Sequence, residues 1–145
     1  MRKWSKRGVV HTIAEPILPE FKLHDILQII IGASVLSVPV GFTEEAWRLG
    51  ETLPVLNVFG LFLLSVCFIT MFSYYQYHKH ADKKHRHILV KRVVATYLLS
   101  FIVVSVILGL IQITPWFSDS LTAFKRVVIV TFPSSMSAAI ADTLK

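Results

Sequence analysis

The chain has 145 residues, which is the length of one domain, but its composition is not that of a water-soluble one. Hydrophobic residues account for 54% of it and charged residues for 17%, and the mean hydropathy is +0.61. The formal net charge is +6, yet much of the charge lies in a few short segments, which leaves long stretches uncharged. This distribution indicates an integral membrane protein and argues against a nucleic-acid-binding domain.

The first 25 residues form a basic arm followed by a segment of mixed polarity. Four basic residues within positions 2–7 are similar to the start of a signal peptide. Residues 8–25, however, contain three acids and two prolines and cannot form the apolar core that a signal peptide needs. We therefore expect residues 1–25 to be retained and to lie on the membrane surface.

Four apolar runs predict an all-α, polytopic membrane protein with four transmembrane helices. The runs cover residues 26–42, 53–75, 88–113 and 127–141. A helix needs about 20 apolar residues to cross ~30 Å of hydrocarbon, so the second and third runs suffice, and the first does if its helix continues to Leu49. We predict a transmembrane domain over residues 26–145, with helices at about 26–49, 53–77, 88–113 and 124–144.

The positions of the basic residues predict the orientation of these helices. The connection between the second and third helices carries Lys79, Lys83, Lys84, Arg86, Lys91 and Arg92. The first connection carries only Arg48. Because lysine and arginine are retained on the cytoplasmic side, we expect the N-terminus, the middle loop and the C-terminus in the cytoplasm. The predicted location is the cell membrane, with several crossings.

The first connection reads VPVGFTEEAWRLGETLP. Gly50 suits the position just past a helix end, and Thr52 followed by Pro54 suits the start of the next helix. The first two helices are therefore predicted to form a tight antiparallel hairpin with a connection of about three residues. Glu44 lies about 18 residues into the first predicted helix, roughly 27 Å along it, so Glu44 and Glu45 are expected at the outer edge of the hydrocarbon.

Two of the predicted helices carry a proline within a stripe of small and polar residues. The stripes comprise Ser34, Ser37, Pro39 and Gly41 on the first helix, and Ser134, Ser135 and Asp142 beside Pro133 on the fourth. Each proline lacks an N–H, so it leaves a backbone acceptor free one turn earlier. One interpretation is helix packing, because small residues let helices approach closely in lipid. The other is a pair of related faces that line an ion pathway, as broken helices do in transporters.

Glu44 and Glu45 are the strongest functional candidates in the first connection. Glu44 can pair with Arg48 one turn later, and both acids can anchor a helix end at the membrane surface. If several subunits bring their first helices together, the same acids form a ring at the outer mouth that attracts cations. The sequence leaves both interpretations open.

A histidine-rich segment, YHKHADKKHRH, lies in the predicted middle loop and contains His78, His80, His85 and His87. Imidazole binds transition metals and titrates near neutral pH, so the segment could bind a metal or sense pH. In a continuous helix, however, the same-face pairs are ~10 Å apart, which is too far for one ion. A solvated basic loop that fixes the topology and meets anionic lipid headgroups is the simpler interpretation.

No catalytic or cofactor-binding motif occurs in the sequence. It contains no nucleophile elbow, zinc-protease helix, phosphate loop or dinucleotide fingerprint. Its one cysteine, Cys67, lies within an apolar run and allows no internal disulfide. We expect no enzymatic activity and no cofactor.

The segment FTEEAWRLGETLP, with an apolar helix on either side, resembles a motif of a prokaryotic family of integral membrane proteins classed as a domain of unknown function. The resemblance covers about residues 23–145. It implies a membrane protein and implies no particular activity.

The leading hypothesis from the sequence is an oligomeric membrane channel or transporter for an inorganic cation. In this hypothesis Glu44 and Glu45 draw cations to the outer mouth, and the kinked first helix lines the path. One chain has few faces with which to enclose a pathway, so we expect a homo-oligomer in the lipid bilayer. The alternatives are an accessory or structural subunit of a larger membrane complex, and metal or pH sensing by the cytoplasmic histidines.

Overall fold

The computed structural model describes residues 22–77 and 85–144, and short connections join the helices within these two segments. The helices are α1 (Leu23–Gly41), α2 (Glu44–Thr52), α3 (Val55–Tyr77), α4 (His85–Leu110) and α5 (Ser120–Thr143). No strand occurs in the described residues, so the predicted all-α class is confirmed for them. The predicted arm lies outside the described residues up to position 21.

The first predicted helix is two helices in the structure. The sequence predicted one helix to Leu49, whereas α1 ends at Gly41 and α2 begins at Glu44. Pro39 removes a backbone donor from the last turn of α1, and Thr43 then adopts an extended conformation, with φ −85° and ψ 134°. Acidic residues in the first turn of α2 are favourable beside the positive end of its dipole, so they start a new helix.

Two side-chain hydrogen bonds connect α2 to the end of α1. The indole N–H of Trp47 donates to the carbonyl of Gly41 at 2.7 Å, which gives a partner to one of the last carbonyls of α1. The hydroxyl of Thr43 donates to the carbonyl of Val40, also at 2.7 Å. Two of the last carbonyls of α1, those of Val40 and Gly41, therefore have side-chain partners at the point where the helix ends.

The predicted tight hairpin between the first two long helices is wrong. In the described part of the chain α1 and α3 do not contact each other, because α2 intervenes in sequence and α5 packs against both. α5 also contacts α2 and α4, so it touches every other described helix. The last helix of the chain therefore occupies the centre of the bundle.

α5 runs antiparallel to α1 and α4 and parallel to α3. Late in α5, Asp142 binds Arg92 from the early part of α4, and the same part of α5 packs against Gly32 of α1. Early in α5, Lys125 donates to the carbonyl of Leu53, just before the start of α3, at 3.0 Å. One end of the bundle thus contains α2 and residues 111–119, and we call it the α2 end; the opposite end is the Arg92 end.

The outer surfaces of α1, α3 and α4 are apolar, whereas many buried residues are polar. The large apolar residues that are exposed on α4 recur every four positions: Val90, Val94, Leu98, Ile102, Val106 and Leu110. The buried polar residues include Ser37, Ser65, Thr96, Ser100, Thr131, Ser134 and Ser135. A soluble protein has the opposite distribution, and lipid favours this one. Among the described residues, three helices are long and apolar enough to cross a membrane: Leu23–Gly41, Val55–Gln76 and Arg86–Leu110.

α5 has 24 residues and is ~36 Å long, but it is not among these candidate spans. Basic residues near its start, Asp142 near its end and a series of serines and threonines lower its hydropathy. Its large exposed apolar residues lie only towards the two ends, and the middle is buried by the other helices. The least apolar of the four long helices is therefore the one that the others cover.

We predict that Gly32→Ala destabilises the bundle by about 1–3 kcal/mol, as overpacking does. A Cβ at Gly32 would lie 2.6 Å from the Cβ of Ala141 and 2.9 Å from the Cα of Ala138, so α1 and α5 would have to separate. Gly60→Ala is the matched control, because nothing lies within 4 Å of its Cβ position. Thermal unfolding in detergent measures both variants, and equal melting temperatures for the two would contradict the close packing of α1 on α5.

Candidate functional site

A buried ion pair joins α4 to α5 at the Arg92 end. Nε of Arg92 donates to Oδ2 of Asp142 at 2.8 Å, and Nη2 donates to Oδ1 at 2.7 Å and to Oδ2 at 2.6 Å. Each of the two residues is only 4% exposed. Two parallel N–H donors on one carboxylate form the strongest geometry for this type of pair.

One member of this pair, Arg92, lies inside a candidate membrane span. Arg92 is six residues, or about 9 Å, beyond Arg86, where the span of α4 begins. Asp25, in the first turn of α1 at the same end of the bundle, is also buried. Thr96 and Ser100 continue the buried polar face of α4 towards the middle of the bundle. The Arg92 end therefore contains buried charged groups within the length of a candidate span.

Stability alone does not account for such a pair. Removing two charges from water costs several kcal/mol for each, and well-packed apolar residues often stabilise a protein as well as a buried pair does. Ionisable residues within membrane helices are rare and usually belong to a functional site. The Arg92–Asp142 pair is the strongest candidate among the described residues.

A second arginine site lies at the α2 end. Arg126, near the start of α5, donates to the carboxylate of Glu51 and to the carbonyls of Trp47 and Ile113, the Trp47 bond being 3.2 Å long. A Cβ at Gly50 would collide with the side chain of Arg126, so the glycine makes room for this approach. One guanidinium thus joins α2, the connection before α5 and α5 itself, and we call this the Arg126 site.

The remaining acids of the first connection are exposed. Glu44 and Glu45 occupy the first turn of α2, and neither forms an ion pair with a described residue. Glu44 therefore does not pair with Arg48, which is exposed as well. Glu51 differs from them, because it binds Arg126. The three glutamates that the sequence grouped together have two different surroundings.

The two predicted stripes face the interior of the chain at most positions. Ser37, Gly41, Ser134 and Ser135 are buried, Ser34 is half-buried and Pro39 is exposed. The four serine hydroxyls each donate to a carbonyl three or four residues earlier in the same helix, at distances of 2.7–3.3 Å. Their hydrogen bonds are therefore satisfied within α1 and α5, and no cation is needed to explain them.

The predicted histidine site falls largely outside the described residues. His78, His80 and the side chain of His85 lie outside them, and His87 is exposed at the start of α4. No group of three metal-binding side chains occurs in the part of the chain that the structure describes. The metal and pH-sensing hypothesis stays a prediction.

Both arginine sites lie within a stretch of the chain that matches a known protein family. A family model described as "Putative integral membrane protein (DUF2391)" matches residues 14–144. The chain belongs to this family. The resemblance of FTEEAWRLGETLP to such a family is confirmed, and the protein is a multi-pass membrane protein. No curated protein and no solved structure matches the chain.

Sequence reasoning missed the role of both arginines. The charge pattern placed Arg92 among the basic residues of the middle loop and gave no role to Arg126. The available signal was an arginine near the start of one apolar run together with an acid, Asp142, directly after another run. Periodicity gives no information about which helices pack together, so the pair could not be assigned.

We predict that Arg92→Ala and Asp142→Ala each destabilise the protein by about 3–5 kcal/mol, because each leaves a buried charge without its main partner. The double variant Arg92→Met/Asp142→Leu should regain most of that loss, since it buries no charge at this position. Chemical unfolding in detergent, followed by the helical circular-dichroism signal, measures these changes. Single variants as stable as the wild type would show that the pair is not buried in solution.

We also predict a pH-dependent contribution from Asp119, the N-cap of α5. The Thr122 hydroxyl and backbone N–H donate to its carboxylate and hold the pKa of Asp119 below the ordinary 3.8, with a further effect of Lys125. This stabilisation is present above pH 3.8 and is lost as the pH falls through the lowered pKa. Asp119→Asn has no such charge, so its melting temperature should fall below that of the wild type at pH ~6 and approach it at pH ~3. An equal difference at both pH values would contradict the assignment.

Proposed function

We propose that the protein is a membrane carrier for an inorganic cation, and that α5 is its moving element between the Arg92–Asp142 pair and the Arg126 site. The observation that carries the proposal is the position of these two charged sites at opposite ends of one central helix. Carriers that open alternately to two sides need one such closure at each end. Nothing in the sequence favours an enzymatic role instead.

The proposal treats α5 as a fourth membrane-crossing helix. It runs beside three candidate spans, is long enough to cross, and bonds to other helices near both ends. Because neighbouring helices cover its middle, it does not need the apolar surface that a lipid-facing helix needs. The positive-inside rule then orients the Arg92 end towards the cytoplasm and the α2 end outward.

α5 has a feature that suits bending between the two sites. Pro133 lies inside the helix, seven residues after Arg126 and nine before Asp142, and it leaves the carbonyl of Ile129 without its helical donor. Proline is a common cause of kinks in helices. If one arginine site breaks while the other stays intact, the half of α5 on the broken side of Pro133 can move. The bundle then opens at that end.

In this mechanism the cation acts at the Arg92 end through the Asp142 carboxylate. A cation that binds the Asp142 carboxylate competes with Arg92 and releases α4 from α5. On the outer side, exposed Glu44 and Glu45 raise the local cation concentration near the Arg126 site. A carrier of this type works within one chain, so the homo-oligomer expected from the sequence is not required and stays a prediction.

Cation flux into liposomes tests the proposal. We expect the purified protein to transport sodium or potassium, driven by an imposed NaCl or KCl gradient, with saturation at high salt. Arg92→Met/Asp142→Leu should keep the fold and lose the flux, because the binding carboxylate is gone. Glu44→Gln/Glu45→Gln should raise the KM for the cation and change the maximal rate little, because these acids only concentrate the cation.

Lys91→Met is the matched control for the charge-free pair. Lys91 is adjacent to Arg92 on α4 but is exposed, so its replacement removes one positive charge next to the pair and leaves the buried site unchanged. The control should transport as the wild type does. Flux that survives in Arg92→Met/Asp142→Leu would contradict the mechanism. A wild-type protein without flux would favour the accessory-subunit alternative.

A further inference from the structure

An apolar groove lies between α3, α4 and the first half of α5. Its volume is about 390 Å³, which is within the range of small-molecule sites, and it is open on one side. Its surface is almost entirely carbon, and its lining includes Phe59, Phe62, Tyr97, Phe101, Phe124 and Lys125. The groove belongs to neither site described above.

The long axis of the groove suits a hydrocarbon chain within one leaflet. Along α3 the lining extends from Val55, where a candidate span begins, to Phe62, which is about 10 Å deeper. Half of the hydrocarbon layer is ~15 Å thick, so the groove occupies much of one leaflet. Aromatic rings line it at several levels, and the ring of Phe62 packs edge-on against that of Tyr97 at 5.1 Å.

A positive charge lies at the shallow end of this groove. Lys125 donates one bond to the carbonyl of Leu53, immediately before the span of α3, and an ammonium group has three donors. Trp116 and the fully exposed Phe117 lie in the connection at the same end, as aromatic residues do at a membrane surface. The ammonium is therefore at headgroup level while the rest of the groove is at acyl-chain level.

We infer that this groove binds one glycerophospholipid with an anionic headgroup, with an acyl chain along the phenylalanines and its phosphate beside Lys125. Charge complementarity selects the headgroup, and the apolar lining selects the chain. The exposed carboxylate of Asp119 caps the start of the same helix, six residues before Lys125, so it opposes an anionic headgroup. The site does not depend on the proposed transport.

Native mass spectrometry of the protein in detergent with equal amounts of phosphatidylglycerol and phosphatidylcholine tests the inference. We expect one phospholipid to be retained, with phosphatidylglycerol preferred about fivefold, which is the factor for one lysine near an anionic surface. Lys125→Gln should remove the preference and leave some binding of both lipids. Asp119→Asn should increase the preference, because it removes the opposing charge.

Separate variants test the part of the groove that would bind the acyl chain. Val55→Trp, at the opening of the groove, should abolish retention of both lipids, and Leu121→Trp on the α5 wall should do the same if the first variant folds poorly. Val106→Trp is the matched control, since Val106 is 55% exposed and Val55 is 57% exposed, but Val106 does not line the groove. This control should retain the lipid.

Three results would overturn the inference. One is lipid retention in folded Val55→Trp and Leu121→Trp equal to that of the wild type. Another is a headgroup preference that persists in Lys125→Gln. The third is a wild-type dimer that these tryptophan variants convert to a monomer, because the groove would then be covered by a second copy of the chain.

Discussion

The polar surface of α5 is the constraint on which the rest of the structure depends. A helix that carries serines, threonines and an aspartate cannot face hydrocarbon along its length without a large desolvation cost. The bundle meets this constraint by placing α1, α3 and α4 around it, each with an apolar outer face. The buried charged residue within the span of α4, Arg92, is then paired directly with α5 through Asp142.

The same constraint explains the glycine and serine stripes. Close contact between α1 and α5 at Gly32 requires the absence of a Cβ, and the serine hydroxyls satisfy themselves on their own helices. Small residues let the backbones approach, so dispersion contacts replace the hydrophobic driving force that lipid does not provide. For most of their residues the stripes are therefore packing surfaces within one chain. A pore lined by α1 would need Ser37 to turn away from the interior in which it is buried.

The parts of the fold that follow from local sequence were predictable, and those that depend on contacts were not. Long apolar runs predicted α3 and α4 closely, because a lipid-facing helix can be recognised from its length and apolar composition. The break at Phe42 and Thr43 was missed, although Pro39 and the following acids are a recognised end and start of helices. The candidate sites were harder, since Asp142 and Arg92 are 50 residues apart and only the packing of α5 brings them together.

The position of α5 also determines how two adjacent basic residues acquire different surroundings. Successive residues of a helix point about 100° apart, so Lys125 reaches towards α3 while Arg126 reaches towards α2 and the connection before α5. On a peripheral helix one of them would face lipid, and a basic residue there would have to extend to the headgroups. At the centre both find carbonyl acceptors: Leu53 for Lys125, and Trp47 and Ile113 for Arg126. The neighbouring helices that cover the polar middle of α5 thus also provide partners for the basic residues in its first turns. Lys125 lines the lipid-facing groove, and the next residue, Arg126, forms the other site.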